Sequence, residues 1–194
     1  AAADPQYFHL DSQAGAPPDA FAEDGQNRGF PTYNWETIAA DNYRWWKRRL
    51  TNMERYFDAY RIDHILGFFR IWEIPSGYRS GIMGHFNPAL PLGVDEIKGW
   101  GLVFRESFKE TLFFEDPVKR GFWHPGISAH KSDVYKSLSE GEKLAFNRLY
   151  EDFFYVRHNK FWERIGYQKL PEIVSASNML PCAEDLGMIP DCVP

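Results

Sequence analysis

The sequence predicts an α/β protein, on three observations. A periodic run from Glu36 to about Phe57 has the spacing of a helix. It leads into Tyr60-Arg61-Ile62-Asp63-His64-Ile65-Leu66-Gly67-Phe68-Phe69-Arg70-Ile71-Trp72-Glu73-Ile74-Pro75, which begins as a short apolar strand and ends in charge. A second apolar run, Asn178-Met179-Leu180-Pro181-Cys182-Ala183-Glu184-Asp185-Leu186-Gly187, again ends in acids followed by glycine. A helix followed by a short buried strand is the rhythm that builds parallel sheets and barrels. In such barrels the reacting groups stand at the C-terminal ends of the strands.

Taken in order, residues 1–35 read as an extended loop. Pro17 and Pro18 fix φ and remove donors, and Gly25 to Trp35 is dense in amides and aromatics. Long irregular segments in compact domains are usually functional or disordered, and Phe21, Phe30, Tyr33 and Trp35 favour an ordered loop over a site. In the helix of 36–57, Ile38, Tyr43, Trp46, Leu50, Met53 and Phe57 form the apolar side. Asp58 to Asp63 is the strand. Residues 76–99 read as a second loop, 103–111 as a short helix and 115–131 as irregular. Ser139 followed by Glu142 is a capping box. It opens a helix to about Ile165, with Leu144, Leu149, Phe153, Val156, Phe161 and Ile165 as its apolar line. Lys169–Ser175 reads as a short helix or turn before the second strand, where Pro181 disfavours a regular central position.

Composition narrows the functions. The chain has 194 residues, 44% hydrophobic and 25% charged, the profile of a soluble globular protein. A net charge of -5 leaves no basic footprint, so nucleic acid is not an expected partner. No run approaches the roughly 18 apolar residues a membrane helix needs. Cys182 and Cys192 lack disulfide-scaffold or metal spacing and are expected to be free buried thiols in a reducing cytosol. There is no His-Glu-x-x-His pair and no glycine-rich phosphate loop. Aromatic residues make up 17% of the chain, which suits either a core or a sugar-binding surface. The start at Ala1 without Met, and the ending Asp191-Cys192-Val193-Pro194, read as a fragment of something longer.

The chemistry lies at the two strand ends. Strand side chains alternate faces, so Arg61 and Asp63 share one face while Tyr60 and Ile62 take the other. For an isolated Arg-x-Asp, an ordinary strand-end ion pair is the favoured explanation. Leu180, Cys182 and Glu184 would likewise share a face, with a helix cap as the structural alternative for Glu184. Together the two carboxyl groups suggest glycoside chemistry. The nucleophile must stay ionised, which a neighbouring guanidinium favours, and the acid must keep its proton, which partial burial favours. Retaining enzymes hold these groups about 5–5.5 Å apart and inverting ones about 6.5–9.5 Å.

Residues Tyr60 to Phe68 resemble the nucleophile segment of the 4-alpha-glucanotransferases, the amylomaltase or disproportionating-enzyme family (glycoside hydrolase family 77). Ala183-Glu184-Asp185-Leu186-Gly187 is similar to its acid/base segment, and Gly15-Ala16-Pro17-Pro18-Asp19 with Gly25-Gln26-Asn27 to its substrate loop. The ending Ile189-Pro190-Asp191-Cys192-Val193 and the gap between the acids resemble the plant cytosolic and related bacterial type. The resemblance implies the central fragment of a (β/α)8 TIM barrel with long loops and a largely helical insertion. Residues 1–77 would be a barrel segment with the substrate loop and nucleophile strand, 78–165 the insertion, and 166–194 a barrel segment with the acid/base strand.

It further implies Asp63 as nucleophile, Glu184 as general acid/base, Arg61 and His64 as sugar contacts, and Asp19 and Gln26 as groove lining. The partners would be malto-oligosaccharides, maltose or glycogen-like glucans, with no metal or organic cofactor, in the cytoplasm. Arg28 stands where the family usually has Trp. The family's third catalytic acid comes from a later strand end, so the chain alone is expected to be inactive. An alpha-amylase-type retaining hydrolase and a non-catalytic glucan-binding segment are the alternatives.

Overall fold

The computed structural model describes residues 3–187, 189–191 and 193. The first strands are β1 (Phe8–Ala16) and β2 (Gln26–Tyr33), which form an antiparallel hairpin where the sequence suggested a loop. The alternation is masked because the register slips twice, between His9 and Gln13 and between Ala14 and Gly15. Pro31 is tolerated because β2 is an edge strand. Residues 17–25, with the paired prolines, remain the connecting loop. Gly15 is required by close packing: a Cβ there would lie 2.4 Å from the Gln26 carbonyl oxygen and 2.4 Å from the Ile74 side chain.

The helix expected over 36–57 is two helices, α1 (Trp35–Ala40) and α2 (Arg44–Met53). Asn42 and Tyr43 between them have φ of 52° and 55°, and the Tyr43 N–H closes back on the Ile38 carbonyl at 2.9 Å. Hydrophobic spacing continues across such a break, so periodicity alone does not reveal it. Asn34 caps α1 through the Thr37 N–H.

Strand β3 (Ala59–Ile62) alternates as its sequence requires, with Tyr60 and Ile62 buried and Arg61 exposed. A 3-10 turn over Ile65–Phe68 follows, and then β4 (Ile71–Pro75). Beyond it come β5 (His85–Asn87), β6 (Leu92–Gly93), α3 (Val94–Gly99), β7 (Phe113–Glu115), β8 (Phe122–Pro125) and α4 (Asp133–Lys136). The segment 78–165 therefore holds strands as well as helices. The strands at 85–87 and 92–93 fall in the expected loop and that at 122–125 in the expected irregular stretch, which the strand at 113–115 enters only at its last residue. At two to four residues each, they are too short to show a period. Between them, 103–111 yields only a 3-10 turn at Glu106–Phe108.

Helix α5 (Glu140–Glu151) starts at the capping box, with both reciprocal bonds of Ser139 and Glu142 made. A π turn at Asp152–Val156 leads into α6 (Asn159–Val174), which runs through Pro171 and absorbs the expected short helix at 169–175. The buried line is Ala145, Phe146, Leu149, Phe153, Phe154, Trp162 and Ile173, whereas Leu144 and Val156 are exposed. The π turn rotates the face that points inward, so a single 3.6-residue period misassigns it.

Strand β9 (Leu180–Ala183) closes the described fold. The sheets are β2-β1-β4-β5, β6-β8-β7 and β3-β9. The first two are antiparallel, and β3-β9 is the parallel pair. This is a mixed α/β architecture without barrel closure among the described residues. One core links Tyr60, Ile62 and Phe68 with Trp72, Phe86, Phe146 and Trp162. A smaller cluster of Tyr7, Ile38 and Trp45 supports the hairpin. Most aromatics are thus buried in these clusters or packed against them, while Phe21 and Phe30 on the hairpin are exposed.

All four residues of β9 are exposed. Cys182 is accordingly a free exposed thiol and not a buried one, since nothing described packs on that face; Cys192 lies outside the described residues. No described helix is long and apolar enough to cross a membrane.

Candidate active site

The parallel register pairs Ala59 with Leu180 and Ile62 with Ala183. The next residue on each strand is an acid: Asp63 on one, Glu184 on the other. The ladder continues past the strand ends, because the Glu184 N–H donates to the Ile62 carbonyl at 3.0 Å and the Ile65 N–H to the Glu184 carbonyl at 2.8 Å. The Glu184 carboxylate then turns back, and its Oε2 accepts the His64 backbone N–H at 2.7 Å.

Arg61 and Asp63 emerge on the same side, with Arg61 Nη2 donating to Asp63 Oδ1 at 2.9 Å. Their side chains are 65% and 84% exposed. An ion pair so open to water contributes at most about 1 kcal/mol to stability, so its consequence is orientation of the carboxylate.

His64 occupies left-handed backbone, φ 57° and ψ 67°. Burial lowers the pKa of its imidazole, the Arg70 and Arg28 guanidiniums add to this, and Glu184 and Asp63 oppose it. Arg28, on β2, therefore lies within electrostatic range of the strand ends.

Asp19 and Gln26 are on the hairpin. Asp19 Oδ1 accepts the N–H groups of Phe21 and Ala22 at 2.8 and 2.7 Å, an Asx-type turn that shapes the loop tip. Gln26 is exposed at the start of β2, opposite Ala16. The structure thus brings Arg61, Asp63, His64 and Glu184 together. Asp19 and Gln26 make no hydrogen bond or ion pair with those four among the described residues.

Two supporting residues carried no sequence signal. Arg70 is buried, with its guanidinium 3.9 Å from the Phe86 ring centroid. Lys169, expected only as part of a short helix or turn, is buried with its Nζ donating to the Phe68 carbonyl at 2.9 Å.

The family model for glycoside hydrolase family 77, described as 4-alpha-glucanotransferase, matches residues 1–194. The 4-alpha-glucanotransferase DPE2 of Oryza sativa subsp. japonica is 32% identical over 263 aligned residues, covering 97% of this chain and 28% of that protein. The chloroplastic/amyloplastic 4-alpha-glucanotransferase of Solanum tuberosum is 42% identical over 164 residues, covering 82% of this chain and 28% of that protein. A solved structure of the amylomaltase from Streptococcus agalactiae in complex with acarbose is 37% identical, with a TM-score of 0.41. It covers 43% of this chain and 18% of that one. The chain belongs to glycoside hydrolase family 77, the 4-alpha-glucanotransferases. It spans a little over a quarter of the length of the two curated relatives.

Proposed function

We propose that this chain is the catalytic segment of a 4-alpha-glucanotransferase. The enzyme would move α-1,4-glucosyl units between malto-oligosaccharides, maltose or glycogen-like glucans in the cytoplasm. The observation that carries this reading is the parallel pairing of β3 with β9, which ends one strand at Asp63 and its neighbour at Glu184. Two carboxyl groups on adjacent strand ends suit a retaining double displacement.

Glu184 gives its proton to the departing glycosidic oxygen as the Asp63 carboxylate attacks the anomeric carbon. The C–O bond to the leaving glucan breaks and an ester bond to Asp63 forms, with inversion. Glu184, now a carboxylate, takes the proton of an acceptor 4-hydroxyl. That oxygen attacks the same carbon, expels Asp63 and restores the original configuration. With Oε2 on the His64 N–H, Oε1 is the oxygen left for proton transfer. Arg61 orients the nucleophile, His64 contacts the sugar held by Asp63, and Asp19 and Gln26 line the groove. Every proton and bond is exchanged among these groups and the two sugars, so the reaction draws on no metal or organic cofactor.

Residues 1–77 and 166–194 would be central parts of a (β/α)8 barrel, with 78–165 as an insertion. Direct pairing of the flanking strands supports that division.

The test is trapping with a mechanism-based fluoro-sugar in the full-length protein, with the labelled peptide mapped by mass spectrometry. A label on Asp63 is expected, and one on any other residue sinks the assignment. Products from maltotriose separate the alternatives. A ladder of longer glucans means transfer, glucose and maltose alone mean an amylase-type hydrolase, and no turnover means a binding segment.

A further inference from the structure

Lys169 is buried in α6 and forms no ion pair with a carboxylate among the described residues. Its Nζ donates to the Phe68 carbonyl at 2.9 Å and lies 4.4 Å from the centroid of the Trp35 ring, which itself packs on the Phe68 ring at 5.2 Å. Phe68 ends the one-turn segment that follows Asp63 and His64. At its start the same segment is fastened to Glu184 through the N–H groups of His64 and Ile65. It is thus held at one end by Glu184 and at the other by Lys169.

A second feature of α6 serves the same contact. Gly166, one turn before Lys169, has no room for a side chain: a Cβ there would lie 2.2 Å from the Phe69 ring. The helix is therefore pressed against Phe68 and Phe69 at two successive turns.

Burying an ammonium without a counter-charge is unfavourable, and burial pushes Lys169 down to about 7. A methionine would fill similar space without that cost, so packing alone does not account for the amine. What a methionine cannot do is hold the Phe68 carbonyl.

We propose that Lys169 is a positioning residue. By holding the Phe68 carbonyl it fixes the turn whose His64 N–H engages Glu184, and so sets how the Glu184 carboxyl faces Asp63. This rests on the reading of Asp63 and Glu184 as the catalytic pair.

The experiment is Lys169→Met in the full-length protein, with two readouts: amide hydrogen exchange, and steady-state kinetics of maltose disproportionation. Loss of one hydrogen bond predicts exchange at His64 and Ile65 about tenfold faster. Exchange at Phe146 and Leu149 in α5 should be unchanged. The kcat should fall about tenfold with KM within about twofold, and Lys169→Arg, which keeps a donor, should recover part of the loss. Unchanged exchange at His64 and Ile65, or faster exchange spread equally over α5, overturns the proposal. If the unsubstituted protein does not transfer glucosyl units, the catalytic reading fails while the exchange data still decide the role of Lys169. Where Lys169→Met fails to fold, Lys169→Gln, whose polar end is one bond shorter, is measured with the same two outcomes.

Discussion

The carboxylate of Glu184 accepts the backbone N–H of His64, with 2.7 Å between Oε2 and N. Glu184 therefore touches the residue next to Asp63, although 121 positions separate the two acids in sequence. His64 holds a left-handed conformation to make the contact, a geometry that costs roughly 1–2 kcal/mol outside glycine. The Glu184 bonds to His64 and Ile65 offset it.

Replacing Glu184 by Gln keeps an oxygen that can accept the His64 N–H but removes the transferable proton. The kcat of the full-length protein should drop by about 10²–10⁴, with the melting temperature little changed. A loss below tenfold would argue that Glu184 is structural.

The 194-residue chain on its own should show no maltose disproportionation. Asp63 is 84% exposed and every residue of β9 is open, so water reaches the place where an acceptor sugar must be favoured over it. Chromatography of products from maltose checks this, and any maltotriose formed by the isolated chain refutes it.

Glu73 is a buried carboxylate in the middle of the hairpin sheet. It accepts hydrogen bonds from Ser12, Thr32 and Asn87. Glu73→Ala leaves those donors unpaired and should destabilise the fold by about 2–4 kcal/mol. Glu73→Gln should cost less, because one oxygen remains. Urea denaturation of both variants measures the difference, and a loss under about 0.5 kcal/mol for the alanine variant contradicts the network's importance.

His158 gives an acid-sensitive contribution. Burial is the main cause of its depressed pKa, about 4, against an ordinary 6.5. Its Nδ1 donates to the Phe153 carbonyl and its Nε2 accepts the Leu90 N–H. Between these values the unfolded chain binds a proton that the folded chain refuses. The contribution is complete above 6.5 and is lost as pH falls to about 4, by roughly 3 kcal/mol. His158→Leu should flatten stability against pH across that window. An unaltered slope would place the acid transition elsewhere.

Lys169 acts in the opposite half of the pH range. Its folded value of about 7 lies below the ordinary 10.5, so between them the unfolded chain holds more protons. The stability of the unsubstituted protein relative to Lys169→Met should therefore rise as pH goes from 7 to 10 and stay level below 7. Parallel curves for the two proteins would contradict a buried, easily neutralised amine.

What the sequence made legible was whatever depends on neighbours along the chain. The alternation of Tyr60, Arg61 and Ile62, and the Ser139–Glu142 box, are local and appear as expected. The acids at two strand ends were also legible, because apolar-to-acid transitions stand out. The β1–β2 hairpin was not, since register slips and Pro31 erase its period. Neither was the break at Asn42 and Tyr43: Asn42 suits a left-handed backbone, but the tyrosine beside it adopts the same conformation without signalling it. Lys169 was illegible for a different reason. Its role depends on Phe68, about a hundred residues away, and nothing nearby in sequence marks a lysine as buried.

The β3–β9 pairing has a consequence for biogenesis. Asp63 leaves the ribosome 121 residues ahead of Glu184, an interval of roughly 6–24 s at 5–20 residues per second. Throughout it, β3 lacks β9, its parallel partner among the described residues, and the loop to be closed is among the longest the chain can offer, so this contact forms late. Nascent chains therefore carry Asp63 without Glu184, and the two acids meet only after α5 and α6 have been synthesised.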